Sequence, residues 1–325
     1  MKMSVHIEEW ELTQPFRISN FEWVTSRGIV VQLAEGGFAG RGEAQGVFYL
    51  DETAESIFHQ VHAIAAELRK GISREELQDL LPAGGARNAI DCAMWDLECK
   101  KAGQTIWQLT GIEPKPVTTV FTIGLEDTAE AMAAKAAAAS DAPILKIKLG
   151  GHQPYEKLAA IRAARPDAEL VVDANQGWDF ELLKEVIPKC VGLDLGMIEQ
   201  PLPRGADEML EGFESPIILA ADESCLHTSE LEIAARRYDM INIKLDKTGG
   251  LTEALKLAHA AREKGCKLMV GNMTGTSLGM APAFVIAQLC DFVDIDGPLL
   301  LKYDHPNGMN YNKGVVDVFH SNLWG

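Results

Sequence analysis

Apolar residues in this chain gather in short runs that close on polar ones. Eight such runs stand at 117–124 (VTTVFTIG), 144–150 (ILKIKLG), 169–176 (ELVVDANQ), 195–202 (LGMIEQPL), 217–224 (IILAADES), 240–247 (MINIKLDK), 267–273 (KLMVGNM) and 292–298 (FVDIDGP). Each has the make-up of a strand buried on both faces whose C-terminal end opens onto a site. They recur about every 25 residues, the spacing of a βα unit. The stretches between them, such as 128–139, 155–164 and 252–264, have helical character; the last places apolar residues three and four apart with charges between. Strand and helix alternation predicts an α/β fold. Polar residues finish so many different strands that a closed, TIM-like (β/α)7β barrel is preferred to an open sheet with a single switch point.

At 325 residues the chain exceeds the roughly 250 of one barrel. The first 116 are therefore read as an α+β capping domain, 117–298 as the barrel, and 299–325 as a segment that packs back on the cap. Within the cap, 3–12, 28–33 and 38–44 alternate like antiparallel strands around a Glu35-Gly36-Gly37 turn, and helices are expected at 52–70 and 87–102. The formal charge of −17 disfavours nucleic acid or an anionic membrane surface as partner. No signal-like or membrane-spanning run is present, and the six cysteines contain no Cys-x-x-Cys pair. A cytoplasmic protein with reduced thiols is expected, and zinc is disfavoured.

Candidate chemistry sits at the ends of the runs. Asp173, Glu199 and Asp222 close three successive ones, and in a barrel their carboxylates converge as an all-oxygen site suited to a hard cation such as Mg²⁺. Any one of them alone could equally be a helix cap. Lys146 and Lys148 alternate with Leu145, Ile147 and Leu149, so both point to the barrel interior, where a solvated lysine would be costly. Lys244 lies two strands beyond the middle of the acidic arc. A lysine near a cation and a second ammonium, partly desolvated, is expected to lose proton affinity and become a usable base; a plain ion pair with a carboxylate fits Lys146 better than Lys148 or Lys244. Two bases flanking a substrate carboxylate whose enediolate charge a cation delocalises suggest removal and return of an α-proton on opposite faces.

These residues, in this order, resemble the enolase superfamily, its muconate-lactonising subgroup, and within that the dipeptide epimerases. The resemblance covers essentially the whole chain through Lys-x-Lys (146–148), Asp-Ala-Asn (173–175), Glu-Gln-Pro (199–201), Asp-Glu-Ser (222–224) and NIKLDKTGG (242–250). It implies Lys148 and Lys244 as acid/base pair, and Asp173, Glu199 and Asp222 as Mg²⁺ ligands. Lys146 would hold the substrate carboxylate and depress the proton affinity of Lys148, with Asn175 and Glu223 orienting the ligands. Asp294 and Asp296, on one face at the end of the eighth run, would hold the free α-ammonium of a dipeptide. Thr122 is a further candidate substrate contact, and the family habit predicts a homo-oligomer.

One departure bears on specificity. Relatives that act on Ala-Glu carry an arginine in the cap loop, where Trp23 aligns in the stretch 18–24 (ISNFEWV), with Arg17 and Arg27 flanking it. An Ala-Glu substrate would leave its side-chain carboxylate against an aromatic ring, so an apolar or aromatic C-terminal residue is expected, or a cationic one paired with Glu22 and stacked on Trp23. The alternatives are an N-acylamino acid racemase or o-succinylbenzoate synthase of the same subgroup, a Schiff-base aldolase, and a non-catalytic metal-binding protein.

Overall fold

The computed structural model describes residues 1–18 and 21–325. The chain opens with an antiparallel sheet of three strands, β1 (Lys2–Arg17), β2 (Glu22–Glu35) and β3 (Phe38–Gln45). Gly36 and Gly37, at φ 60° and 87°, make the tight turn that pairs Glu35 with Phe38. Against this sheet lies the helix Gly85–Ala102, buried on almost every side. The approach is close: a Cβ on Gly40 or Gly42 of β3 would run into the helix backbone at Ala93 or Ala89. The sheet's inner face and this helix share one core with the helix Ala54–Ala63, centred on Ile29, Val31, Ile57 and Ile90.

The expected helix 52–70 is two helices, Ala54–Ala63 and Ala65–Lys70, broken at Ile64, for which no residue type accounts. A further helix, Arg74–Leu80, went unread although Ser73 and Glu76 form its capping box. The run 117–124 also divides. Val117–Thr118 (β4) pairs antiparallel with a hairpin of the C-terminal segment, β13 (Tyr311–Asn312) and β14 (Val315–Val316), and only Phe121–Ile123 (β5) enters the barrel.

Eight parallel strands follow in sequential order: β5, β6 (Ile144–Lys148), β7 (Glu169–Asp173), β8 (Leu195–Glu199), β9 (Leu219–Ala221), β10 (Met240–Lys244), β11 (Lys267–Gly271) and β12 (Phe292–Val293). The sheet curls until its two edges meet. There Val120 N donates to Val293 O at 2.9 Å and Ile295 N to Thr119 Oγ1 at 3.1 Å, in place of a regular ladder. Period-two alternation sorts the side chains. Leu145, Ile147, Val172, Ile198 and Ile243 face the outer helices, whereas Val120, Val171, Met197, Ala220, Met240 and Met269 form a separate apolar plug inside.

The βα regularity fails once. After β8 no α-helix forms, and a single turn at Glu208–Leu210 stands in its place. Pro201, Pro203 and Pro216, with Gly205 and Gly212 at φ 80° and 81°, deny this stretch a helical backbone. Among the described residues no helix is long and apolar enough to cross a membrane. The last residues return to the cap: Trp324, fully buried, donates Nε1 to Cys92 O at 3.1 Å, and Gly325 N donates to Asp96 Oδ1 at 2.8 Å. Trp324→Ala should cost about 3–5 kcal/mol of unfolding free energy, read as a lower midpoint in urea denaturation.

Candidate active site

The polar layer begins one step above the apolar plug. Parallel register sets Lys148 beside Asp173 and Asp173 beside Glu199, so three successive strands present charged groups at one level. All are buried. Lys148 Nζ donates to Asp173 Oδ2 at 2.6 Å; Lys146 Nζ lies 2.7 Å from Glu199 Oε2, 2.8 Å from Asp294 Oδ2 and 3.2 Å from Asp173 Oδ2. Lys244 Nζ donates to Asp222 Oδ2 at 2.6 Å. In the strand order β10 stands four places from β6, which in an eight-stranded barrel is the opposite side. Lys148 and Lys244 therefore rise from opposite walls of one cleft, about 900 Å³ including its open mouth.

The charges shape each other's protonation. Burial opposes the ammonium of Lys146, but Asp294, Glu199 and Asp173 outweigh it and hold its pKa well above the usual range. Lys244 is likewise pushed down by burial and further up by Asp222 and Glu199. Lys244 thus departs from the expected loss of proton affinity, because the carboxylates about it favour its ammonium, whereas Lys146 stands in the ion pair expected of it. Burial raises Asp173, yet Lys148 and Lys146 bring it down to about 2. Asp222 is lowered too, since Lys244 and Lys247 overcome its burial. Glu199 is raised by burial and then by the charge of Asp173.

Two residues that the runs contained were not singled out. Lys247, fully buried, donates to Asp222 Oδ1, Asp222 O and Asn242 O, each at 2.7 Å, and Asn242 Nδ2 donates to Glu199 Oε1 at 2.6 Å. Asn242 shares the inward face of β10 with Lys244 and was legible by alternation. Lys247 was not, because it lies in the one-turn helix Leu245–Thr248, where the period of two has ended.

Among the described residues no three acidic, histidine or cysteine side chains are grouped to hold an ion, as each of the three expected ligands is turned onto a lysine. The donor chemistry still fits a hard cation. Glu199 Oε2 makes no hydrogen bond despite its ion pair, and Glu223 Oε2 and Asn175 Oδ1, from residues lining the same cleft, are buried without a donor. Oxygen acceptors of this kind are what Mg²⁺ takes. Burial and the neighbouring Asp222 raise Glu223 to about 8.

At the opposite rim, Asp296 Oδ2 accepts from Thr122 N at 2.7 Å, and Asn272 Nδ2 donates to Asp294 Oδ1 at 2.9 Å. Burial and then the charge of Asp294 raise Asp296 to about 7. Trp23 lines the cleft from the cap, with ring centroids 5.2 Å from Phe48, 5.6 Å from Phe21 and 6.4 Å from Phe16. Ser19 and Asn20 of the expected specificity loop lie outside the described residues. Arg27, read as flanking that loop, also lines the cleft; it pairs with Glu9 at 2.9 Å and Glu55 at 2.7 Å. Arg17 instead pairs with Asp127.

Comparison with known families matches residues 1–111 to the mandelate racemase / muconate lactonizing enzyme N-terminal domain and 128–318 to the enolase C-terminal domain-like family. The chain belongs to this family. Among relatives in the enolase superfamily, the L-Ala-D/L-Glu epimerase of Escherichia coli is 42% identical over 97% of this chain and 99% of that protein. The N-acetyl-D-glutamate racemase of a Pseudoalteromonas species is 39% identical over 91% and 95%. An enolase family member from Agrobacterium tumefaciens with bound sodium and L-Ala-L-Glu superposes with a TM-score of 0.96 at 41% identity, covering 99% of each chain. A dipeptide epimerase from Enterococcus faecalis complexed with Mg and L-Leu-L-Tyr superposes at 0.92 with 26% identity, over 99% of this chain and 98% of that one.

Lys247→Met would leave Asp222 without one of its two buried ammonium partners. It should lower the unfolding free energy by about 3–5 kcal/mol, measured by urea denaturation.

Proposed function

We propose that this dipeptide epimerase of the enolase superfamily inverts the α-carbon of the C-terminal residue of an L,L-dipeptide by a two-lysine 1,1-proton transfer. The observation that carries this reading is the placement of Lys148 and Lys244 on strands four apart, facing one cleft whose other rim bears the Asp294 and Asp296 carboxylates. One lysine, as the free amine, takes the α-proton into its lone pair. The electron pair of the broken C–H bond moves into the substrate carboxylate, giving an enediolate; the other lysine, as the ammonium, then donates a proton to the opposite face. Lys146 lies between the two walls, where its fixed positive charge would meet the substrate carboxylate.

Asp173, Glu199 and Asp222 would hold Mg²⁺. When bound, the cation supplies the positive charge that stabilises a carboxylate gaining electron density, which an unaided lysine pair cannot do for so weak a carbon acid. A cation held there would offset part of the negative charge of Asp222, Glu199 and Asp173 that keeps Lys244 protonated, and its proton affinity would fall. Removal of divalent ions with EDTA should therefore abolish α-proton exchange, and added Mg²⁺ should restore it, followed by proton NMR in D₂O.

Asp296 supports a dipeptide over an N-acyl substrate. An ammonium needs the ionised carboxylate, and Asp296 ionises only as pH rises through about 7. Above about pH 8 the dipeptide's own α-amino group loses its charge. The expected profile of kcat/KM for a dipeptide is a bell between these limits, whereas an N-acylamino acid lacks the dependence on Asp296; steady-state rates from pH 5.5 to 9.5 check this.

Trp23, with Phe16, Phe21 and Phe48 about it, supports an apolar or aromatic C-terminal side chain, since burying a carboxylate on such a wall without a partner is costly. A cationic side chain stacked on Trp23 is next in order. Arg27 favours a second reading, Ala-Glu, because it brings a guanidinium to the same cleft. The turnover of Ala-Phe, Ala-Lys and Ala-Glu decides between them: Ala-Phe should lead, and efficient epimerisation of Ala-Glu rejects the apolar preference.

A further inference from the structure

The two lysines are anchored differently. The backbone after Lys148 is held within the barrel: Leu149 N donates to Asp173 O at 3.0 Å, and Gly150 O accepts from Trp178 Nε1 at 3.3 Å. Lys244 instead leads straight into the helix Leu245–Thr248. Four residues make at most a turn, so neighbours rather than an internal ladder must fix this helix.

Those neighbours lie on two sides: Lys247 donates to Asp222 and Asn242 of the barrel, and the N-terminal region supplies the others. Asp246 Oδ1 accepts from Gln45 N and from Asn88 Nδ2, each at 3.0 Å. Arg87 donates from Nη2 to Thr248 O at 2.6 Å and from Nε to Gly249 O at 3.2 Å, while its Nη1 holds Gln78 O and Leu81 O. The fit leaves no room, since a Cβ on Gly249 would strike the Arg87 guanidinium and one on Gly250 the Asp91 side chain. Their φ values of 76° and 115° also suit glycine. Among the described residues Asp246 is the one side chain of the four-residue helix that bonds to the cap, and Gln45, its backbone donor, itself lines the cleft.

We infer that Asp246 is a positioning residue for Lys244, tying the second acid/base group to β3 and to the helix Gly85–Ala102 of the cap through hydrogen-bond geometry. Among the described residues Lys148 has no such tie, so the device acts on one face of the substrate only. The inference rests on the two-lysine reading of the site.

The test is α-proton exchange in D₂O with Mg²⁺, started separately from the L,L and the L,D epimer of Ala-Phe, or of Ala-Glu if that is what the wild type turns over. Lys148→Met and Lys244→Met each identify the epimer whose proton their lysine removes. Wild-type enzyme that exchanges neither epimer overturns the two-lysine reading and this inference with it. If the wild type exchanges both, Asp246→Ala should slow exchange about 10- to 100-fold from the epimer that Lys244→Met silences, and leave the other within about threefold. Asp246→Asn, which keeps the oxygen acceptor, should restore it. Equal slowing from both epimers, or an Asp246→Asn variant as slow as Asp246→Ala, overturns the inference in favour of a general structural role. Should Asp246→Ala fail to fold by circular dichroism, Asn88→Ala removes one donor and retains the carboxylate. It must show the same one-sided loss; an even loss overturns the inference.

Discussion

Everything at the mouth of this barrel depends on charge compensation in a place largely shielded from water. Lys146, Lys148, Lys244 and Lys247 and the carboxylates of Asp173, Glu199, Asp222 and Asp294 are all buried and bound to one another. Any of them alone would be prohibitively costly there. They form two ion-pair clusters, one about Lys146 and one about Asp222, joined through Asn242, which donates to Glu199 and accepts from Lys247. Lys146 touches three carboxylates, and Asp222 holds two ammonium groups. A cation bound among Asp173, Glu199 and Asp222 would compete with these ammonium groups for the carboxylate oxygens.

The apolar plug below explains why the network is confined to one end. Val171, Met197, Ala220 and Met240 sit two residues before Asp173, Glu199, Asp222 and Asn242 on the same inward faces, and Met269 joins them. They seal the floor, so polarity is met only from above, where the cap supplies the lid. The cap contributes more than cover. Ser26 Oγ donates to Thr274 O in the loop after β11, and Thr276 donates to Glu43 from both its backbone and its hydroxyl. The two halves of the molecule thus share the polar groups that hold the loops about the cleft.

Much of this was legible in the sequence, for a physical reason. Period-two alternation is a rigid rule within a strand, so Lys146 and Lys148, and the acids closing their runs, had to face inward together. What lay beyond the strands was less legible. Lys247 enters by a helical turn, and Arg27 lines the cleft from a β2 position paired with Glu9, which depends on how the cap sits over the barrel. The missing helix after β8 was written in its prolines, but the regular spacing of the runs argued more loudly for one. The protonation of Lys146 and Lys244 could not be read at all, since it depends on which carboxylates each ammonium meets in space.

The seam where the barrel closes has a consequence for how such a site can change. Val120 and Val293 share one backbone hydrogen bond, and above them the carboxylate of Asp296 caps the free amide of Thr122. The side chain proposed to meet a substrate ammonium is therefore also a stitch between the first and the eighth strand of the barrel. A lineage that drifted toward substrates without a free amine could not simply discard this acid, for the barrel would lose a fastening along its least fastened edge. Substrate range and mechanical closure are in this way inherited as a single trait.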